Sequence, residues 1–159
     1  MTARPEKRIT MEVDMTKKKD TAKGPGAIDV ARFFITTREN EGAWFEPEVG
    51  GEPAGFELKV LGKGSDAVIA AGAEYLRAHE EAMKLEDPAR QQMAERDAVC
   101  RRIARSVVGM RGKSGMGLEL GGKPLDCTPE FFERLMKENA DIRLGVLDFS
   151  SDPANYMRA

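Results

Sequence analysis

Cysteine and histidine are scarce in this chain of 159 residues, and their scarcity excludes several kinds of site. The two cysteines, Cys100 and Cys127, are too few for a disulfide scaffold, so we predict two reduced and partly buried thiols. His79 is the single histidine, and the chain has neither the CxxC nor the HxxxH spacing that is typical of zinc sites. The sequence therefore predicts no metal site.

Long apolar runs and a strong charge bias are also absent. No run of about 18 apolar residues occurs, so we predict no transmembrane helix. The basic N-terminus has no apolar stretch behind it, which argues against a signal peptide. Lysine and arginine number 25 against 27 acidic residues, a net charge of −2. We therefore predict a soluble intracellular protein with no membrane partner, and nucleic acid is not expected as a partner.

Residues 1–27 are polar and basic, and Gly24-Pro25-Gly26 closes this segment. Such a composition buries too little apolar area to offset the entropy of ordering the chain. A basic arm can contact nucleic acid, but this one has no aromatic residue on which a base could stack. We therefore predict a flexible, solvated N-terminal arm followed by a single domain over residues 28–159.

The first part of that domain, residues 28–61, is predicted to form strands. Residues 28–36 are rich in β-formers, and residues 43–46 resume an extended run after a turn at residues 39–42. Phe56, Leu58 and Val60 alternate with polar residues, as on one face of a strand. Three strands joined by short turns predict an antiparallel three-stranded meander, packed against the amphipathic helices that follow.

Residues 65–108 are predicted to form two helices. The first begins at Ser65 or Asp66 and carries the stripe Ile69, Gly72, Leu76 and Met83, which we predict to cover the sheet. Asp87-Pro88 starts the second helix, which runs to Val108. Its predicted apolar stripe consists of Met93, Cys100, Ile103 and Val107.

The rest of the chain is predicted as a glycine-rich loop over residues 109–124 and C-terminal helices over residues 128–157. A short strand is expected within the loop, at residues 118–120. Thr128-Pro129-Glu130 combines a cap, a proline in the first turn and an early acid, which is a strong helix start. Together with the strands, these segments predict an α+β fold.

Two glycine motifs that could bind phosphate fail on their spacing. Gly112-Lys113-Ser114 lacks the P-loop glycine five positions earlier, where Val107 stands, and it is predicted to follow a helix and not a strand. Gly115-Met116-Gly117 fails the GxGxxG pattern, because Leu120 occupies the place of the third glycine. We therefore predict no cofactor.

A cysteine nucleophile would need His79, and the sequence places the two types of residue apart. Cys100 lies in the apolar stripe of the second helix, whereas His79 is predicted on a charged helix surface. Cys127 precedes a predicted helix start, where the pKa of a thiol can be lowered. Because no base is expected beside either cysteine, we predict no catalytic residue and a protein that is not an enzyme.

Trp44 and Phe45 are the most distinctive aromatic pair of the sequence. Adjacent residues of a strand point to opposite faces of a sheet, so the two rings cannot both lie in a one-sided core. One of them is expected to meet a helix, a partner or water. Because tryptophan is favoured at the centre of protein interfaces, the pair is a candidate binding surface as well as a candidate core element.

Three stretches of this sequence resemble the tail assembly chaperones of long-tailed bacteriophages, over about residues 28–157. The first is Phe33-Phe34-Ile35-Thr36 through Glu41-Gly42-Ala43-Trp44-Phe45, which looks like that family's opening strand pair. The second is the helical middle that ends in Val107-Val108-Gly109-Met110-Arg111-Gly112, where Met110 stands in the place of a tryptophan. The third runs from Gly122-Lys123-Pro124-Leu125 and Thr128-Pro129-Glu130 to the aromatic Tyr156.

The resemblance implies a non-catalytic role in phage morphogenesis, in the host cytoplasm. Proteins of this type bind the tape-measure protein and recruit tail-tube subunits while the tail polymerises, and they are absent from the finished virion. The chain's nine methionines suit such a role, because methionine adapts to irregular partner surfaces. The sequence also allows a homo-oligomer. We predict protein contacts at the following residues: Trp44, Phe45, Met110, Arg111, Met116, Phe131, Phe132 and Tyr156.

Two other functions stay open at this point. The chain could be a structural tail, neck or head-completion subunit that is retained in the virion, with its basic arm ordered on assembly. It could also be a small enzyme or a regulator directed at the host. An active site would require a pocket that gathers His79, a cysteine and a carboxylate.

Overall fold

The computed structural model describes residues 26–157 of the chain. The chain divides into two units, Met1–Ala31 and Arg32–Ala159. In the first unit the described residues are 26–31, where the Asp29 carboxylate accepts a hydrogen bond of 3.0 Å from the Ala31 N–H. The second unit contains the sheet and the helices. The predicted N-terminal arm falls almost wholly on residues outside the described range and stays a prediction.

Helices and short antiparallel sheets make up residues 26–157, and the predicted α+β class is confirmed. The α-helices in this range are α1 (Ile35–Glu41), α2 (Asp66–Met83), α3 (Pro88–Ala104), α4 (Pro129–Glu138) and α5 (Ala140–Ser151). The strands are β1 (Ala43–Phe45), β2 (Glu48–Val49), β3 (Glu52–Pro53), β4 (Phe56–Val60), β5 (Val107–Gly112), β6 (Glu119–Leu120) and β7 (Lys123–Pro124). The 3-10 turns are Val30–Phe33, Lys113–Gly115 and Pro153–Tyr156.

The main sheet has three antiparallel strands in the order β1-β4-β5. The predicted alternation in β4 is confirmed, because Leu58 and Val60 are fully buried on the inner face of the sheet. The register shifts between Lys59 and Val60, which pair with Gly109 and Val107, so Val108 is the extra residue of a β-bulge. The sheet therefore has one face turned to the core and a second, outer face.

Three helices cover the inner face of the sheet. The buried side chains of α3, α4 and α5 pack with those of the sheet into one core cluster. Its buried members are Leu58, Val60, Cys100, Ile103, Ala104, Val107, Phe132, Met136, Ile142 and Val146. Burial of Cys100 and Ile103 confirms this part of the predicted stripe of the second helix.

Two small hairpins, β2-β3 and β6-β7, each turn through a pair of glycines. Gly50 and Gly51 have φ angles of 61° and 82°, and Gly121 and Gly122 have 60° and 82°. A two-residue hairpin turn with positive φ at both positions favours glycine, because other side chains are strained there. The conformation of these two turns therefore accounts for four of the chain's glycines.

Residues 28–36, predicted as a strand, form no strand in the structure. A 3-10 turn at Val30–Phe33 and helix α1 take their place, and α1 ends at Gly42, whose φ is 83°. Tertiary contacts hold α1: the buried Glu39 carboxylate accepts a hydrogen bond of 2.8 Å from the Gly64 N–H. The strand prediction is wrong because β propensity depends on sheet context, which this segment lacks.

The predicted burial of the α2 stripe is also wrong. Ile69, Leu76 and Met83 are 62%, 61% and 48% exposed, whereas Ala71 and Ala82 are the residues that α2 buries. Helix α2 packs mainly against α3 through this alanine face, and the sheet is covered by other helices. Met93 of α3, predicted in the buried stripe, is likewise 59% exposed.

The predicted second helix extends too far toward the C-terminus, and the predicted loop over residues 109–124 includes part of a strand. Helix α3 ends at Ala104, and Val107, predicted as helical, begins β5. Residues 109–112, predicted as loop, complete this strand as the third member of the main sheet. These residues form a strand because they pair with β4, although a glycine-rich sequence has a low strand propensity of its own. The expected short strand at residues 118–120 is confirmed as β6.

Candidate protein-contact surface

The outer face of the main sheet brings Trp44 together with charged side chains. Trp44 lies opposite Lys59 across β1 and β4, and Lys59 lies opposite Gly109 across β4 and β5. Glu57 and Arg111 form the next pair on the same face. Directly opposed residues of antiparallel strands share a face, so these five residues form one surface, which we call the Trp44 face.

The Trp44 ring lies between the backbone of β5 and two cations. A Cβ atom at position 109 would lie 3.3 Å from Cη2 of Trp44, so glycine there allows the ring its close approach to the strand. The Arg111 guanidinium carbon is 4.1 Å from the centre of the indole, and Lys59 Nζ is 5.9 Å from it. Both cations are within the range of attraction to an aromatic face. The half-buried indole is thereby fixed in one orientation on the outer side of the sheet.

Carboxylates hold two cations of this region, Arg111 and Lys113, in place. Arg111 Nε donates a hydrogen bond of 2.9 Å to Glu57 Oε1. Beside the face, Lys113 Nζ donates to Glu46 Oε1 at 2.8 Å, and the Gly55 N–H donates to Glu46 Oε2 at 2.8 Å. The bond from Lys113, followed by that from Gly55, lowers the pKa of Glu46, and Glu46 raises the pKa of Lys113. Arg111 and Lys113 are therefore each paired with a carboxylate, which fixes the direction in which these two cations are presented.

A cleft of about 630 Å³ adjoins the Trp44 face. We call it the Met116 cleft, and it lies between the end of β5, the Lys113–Gly115 turn and the segment that leads to α4. Glu57 and Arg111 line it from the Trp44 face, so the two surfaces are continuous. Its apolar and sulphur-bearing lining residues are Met110, Met116, Leu118, Leu125 and Cys127. Met116 is 70% exposed and stands at the rim of this cleft, whose lining is more polar than apolar.

The structure brings three of the predicted contact residues together in this region: Trp44, Arg111 and Met116. Met110 lies opposite Leu58 on the inner face of the sheet, packs partly against the core and lines the Met116 cleft from that side. Phe45, Phe132 and Tyr156 lie instead on the core side. The Phe45 ring stacks on Phe149 at 4.5 Å between centroids, and Phe132 and Tyr156 are buried. Phe131 is partly buried and packs against the core. These four rings stabilise the fold; Phe132 and Tyr156 are buried, whereas Phe45 and Phe131 are partly buried.

Three residues of the Trp44 face were missed by sequence reasoning: Glu57, Lys59 and Gly109. The alternation of β4 contains the signal for the first two, because Glu57 and Lys59 stand between the inward-pointing Phe56, Leu58 and Val60. Their proximity to Trp44 could be read only from the strand pairing.

His79 and the cysteines, the residues that an active site would need, have separate surroundings. His79 Nδ1 is 2.7 Å from Glu95 Oε2, and the Tyr75 hydroxyl donates to Glu95 Oε1, so this cluster joins α2 to α3. Cys100 is fully buried, and its thiol donates to the Met136 carbonyl at 3.7 Å. Cys127 lines the Met116 cleft; partial burial, and then the charge of Asp126, raise the pKa of its thiol, so the expected lowering is wrong.

Residues 26–157 contain neither a candidate metal cluster nor a helix that could cross a membrane. No group of three or more histidine, cysteine, aspartate or glutamate residues in this range could hold a metal ion. No helix in the described part of the chain is long and apolar enough to cross a membrane. The Lys113–Gly115 turn follows strand β5 and not a helix, which corrects the context expected for this segment.

Comparison of the chain with protein-family models, with curated proteins and with solved structures gave no match. The function is therefore inferred from the chemistry of the surface and from the sequence resemblance.

Proposed function

We propose that this chain is a non-catalytic protein of phage tail assembly, a chaperone that binds the tape-measure protein and tail-tube subunits in the host cytoplasm. The Trp44 face and the Met116 cleft are the surface that contacts the partner. The observation that carries this proposal is the position of the chain's single tryptophan on the outer side of the sheet, beneath Arg111. Tryptophan and arginine are the residues most enriched among those that dominate binding energy at protein interfaces.

The chemistry of the surface suits reversible binding of a protein segment. A fixed indole offers a large apolar contact at little cost in conformational entropy. The Met116 cleft adds the exposed Met116, and methionine side chains adapt to irregular apolar partners. Arg111 and Glu57 at the junction can orient a polar backbone or a charged side chain of the partner. Protein–protein interfaces usually combine an apolar centre with a polar rim.

The phage setting is supported by the sequence resemblance. In its third stretch, the helix start at Thr128-Pro129-Glu130 and the docked aromatic Tyr156 are present in the structure. In its first stretch, the residues before Gly42 are helical, so the expected opening strand pair is absent from residues 33–41. In its second stretch, residues 107–112 form strand β5 and not the end of a helix. The setting therefore draws its support mainly from the third stretch.

The first experiment is capture of partners from phage-infected cells with affinity-tagged variants. We expect the wild-type chain to capture the tape-measure protein, and Trp44→Ala to reduce that capture about tenfold or more, as for residues at the centre of an interface. The matched control is Arg134→Ala, which removes an exposed cation on α4 that pairs with Glu138. Arg134→Ala should capture as much as the wild type.

Chemical denaturation of the same variants separates binding from folding. Trp44→Ala should lower the free energy of unfolding by about 1–2 kcal/mol, because only part of the indole is buried. A Trp44→Ala chain that is strongly destabilised and still captures the tape-measure protein as well as the wild type contradicts the proposal.

Mass spectrometry of purified virions distinguishes the chaperone from its alternative. A chaperone is absent from the finished particle. If the chain is present there in stoichiometric amounts, it is a structural tail, neck or head-completion subunit, and the Trp44 face is then a permanent contact.

A further inference from the structure

Strand β5 (Val107–Gly112) lies at one edge of the main sheet, next to β4. The Lys113 N–H, directly after the strand, donates a hydrogen bond of 3.0 Å to the Gly55 carbonyl. Hydrogen-bonded pairs alternate along an antiparallel ladder, so every second residue counted back from Lys113 directs its backbone groups toward β4. The backbone groups of Met110 and Gly112 are therefore directed away from β4, at the open edge of the sheet.

Three backbone groups at this edge form no hydrogen bond with another residue in the range 26–157: the N–H and the carbonyl of Met110, and the N–H of Gly112. The Gly112 carbonyl differs, because Gly112 is the cap residue of the 3-10 turn Lys113–Gly115. A carbonyl in that position accepts the first hydrogen bond of the turn. An edge with unpaired groups on alternate residues is a template for one more strand.

The other strand edges in residues 26–157 are shorter. In β1, at the opposite edge of the main sheet, the same alternation directs only the backbone groups of Trp44 outward. The strands of the two small hairpins have two residues each. On β5 itself, the bulge at Val108 interrupts the regular edge on the N-terminal side. The template is therefore the segment 109–112, and an added strand is short.

The Met116 cleft provides the space beside this edge. Residues 110–112 line the cleft from β5, and Leu118 and Leu125 line it from the segment that leads to α4. Its volume of about 630 Å³ is in the range of ligand-binding clefts and is sufficient for a few residues of extended chain.

We propose that a segment of the partner protein binds in extended conformation, as a fourth strand antiparallel to β5. This inference rests on the proposed function, because it specifies how the partner occupies the Trp44 face and the Met116 cleft. The partner residue opposite Met110 exchanges two backbone hydrogen bonds with it, and the Gly112 N–H donates to the carbonyl two positions earlier in the partner segment. The antiparallel direction is favoured because it is the more stable pairing per residue.

The Trp44 face determines which side chains flank that partner residue. The next partner residue lies opposite Gly109, where a Cβ atom would be 3.3 Å from Cη2 of Trp44, so an apolar side chain there extends the contact with the indole. The preceding partner residue lies opposite Arg111. Arg111 pairs with Glu57, but Lys59 forms no ion pair within residues 26–157, so this face carries one cation in excess. An acidic residue followed two positions later by an apolar residue is the complementary pattern.

Charge also argues against a second copy of this chain as the occupant. Strand β5 contains Arg111 and no acidic residue, so two β5 edges would supply no carboxylate to each other. Pairing of the two edges would also join two outer faces that each carry an excess cation. A partner segment with an acidic residue satisfies the charge that a second β5 would leave unpaired.

Selection of random peptides of about twelve residues by mRNA display, on the immobilised full chain, is the first test. We expect the bound peptides to share an acidic residue followed two positions later by an apolar one. Exchange of that acidic residue for lysine should raise the Kd about tenfold or more, because a like charge then faces Arg111. Trp44→Ala in the chain should raise the Kd by a similar factor. The control Arg134→Ala, an exposed cation on α4, should leave it unchanged.

Methylation of the backbone of a selected peptide tests the strand pairing itself. N-methylation of the residue between the acidic and the apolar one removes the donor to the Met110 carbonyl and should raise the Kd about tenfold or more. N-methylation of the apolar residue is the matched control. Its N–H points away from β5, so the Kd should change by about threefold or less.

Hydrogen exchange measured by NMR supplies a second reading of the same edge. In the free chain, the N–H groups of Met110 and Gly112 should exchange faster than those of Gly109 and Arg111. With a selected peptide at about a hundred times its Kd, exchange at Met110 and Gly112 should slow about a hundredfold. A peptide held by its side chains alone, or bound as a helix, would not produce this alternation.

Three results would overturn the proposal. They are a selection that yields no binding peptide, binding that is insensitive to methylation of the central residue, and a dimer of the free chain in which Met110 and Gly112 are already protected.

Capture of the tape-measure protein from infected cells is a separate result. If that capture fails while selected peptides still pair with β5, the phage role is wrong and the strand site remains. If capture succeeds and no peptide pairs with β5, only the strand site is wrong.

Discussion

Trp44 and Phe45 are neighbours in β1 and have opposite surroundings, because successive residues of a strand point to opposite faces. The Phe45 ring stacks on Phe149, which in turn meets Tyr156 edge-on with 5.9 Å between centroids. The Trp44 ring lies on the outer face beneath Arg111. Substitution of Phe45 should therefore act mainly on stability, and substitution of Trp44 mainly on binding.

The contact of Tyr75 with Glu95 makes a pH-dependent contribution to stability. The hydrogen bond from Tyr75, followed by that from His79, lowers the pKa of Glu95 below its ordinary value of 4.5. A lowered pKa in the folded state stabilises the fold above pH 4.5, and this stabilisation disappears as the pH falls through the lowered value. Tyr75→Phe should raise the pKa of Glu95, which NMR titration of the carboxyl measures directly.

Thermal unfolding of the same pair of proteins provides the second measurement. The wild type should be the more stable protein at neutral pH, and its advantage over Tyr75→Phe should decrease as the solution is acidified below pH 4.5. An advantage that stays constant down to acid pH, together with an unchanged pKa of Glu95, contradicts this account.

The start of each long helix is determined by a side-chain cap. Ser65, Asp87, Thr128 and Asn139 each accept a hydrogen bond from a backbone N–H in the first turn of α2, α3, α4 and α5. Three of these starts were predicted from the sequence, because a cap and a first-turn proline act within a few residues. Helix α1 has no side-chain cap, so no local pattern predicts where it starts.

Thr128→Ala tests the cap of α4, whose side-chain oxygen accepts a bond of 3.1 Å from the Phe131 N–H. Loss of this bond should lower the free energy of unfolding by about 1 kcal/mol, measured by urea denaturation. Thr128→Ser is the matched control and should change stability much less, because serine supplies the same oxygen. Equal losses in the two variants would show that the cap is not the cause.

At the scale of the whole molecule, contacts between distant parts of the sequence close the fold around β4. The Tyr156 hydroxyl donates to the Val60 carbonyl at 3.1 Å, and Ser150 Oγ donates to the Leu61 carbonyl at 2.8 Å. Tyr156 is buried, and its burial, followed by the charge of Glu39, raises the pKa of its hydroxyl. The C-terminal turn thereby joins the end of the central strand to α5.

Two substitutions of Tyr156 separate its hydrogen bond from its packing. Tyr156→Phe should cost about 1 kcal/mol of unfolding free energy, because the Val60 carbonyl loses a buried donor. Tyr156→Ala should cost about 3–5 kcal/mol, because the ring also leaves a cavity beside Phe149. Denaturation in urea measures both. If the alanine variant is no less stable than the phenylalanine variant, the ring is not part of the core.

The candidate surface could be predicted only in part from the sequence. Alternation in β1 required that Trp44 and Phe45 face opposite sides, and the glycine-rich segment drew attention to Met110, Arg111 and Met116. The sequence could not show that residues 107–112 pair with β4, since that contact joins segments about fifty positions apart. No pattern in the neighbouring sequence predicts that Arg111 lies over Trp44, because this contact depends on the pairing of the two strands.

Local patterns were sufficient to predict the α+β class, three capped helix starts and the inward alternation of β4, because each depends on interactions within a few residues. They could not predict which apolar stripe is buried, which segment forms the third strand of the main sheet, or that residues 35–41 form a helix. Burial and strand pairing depend on which distant segment packs against each element. The small alanine face of α2 fits α3 closely, so Ile69, Leu76 and Met83 remain exposed.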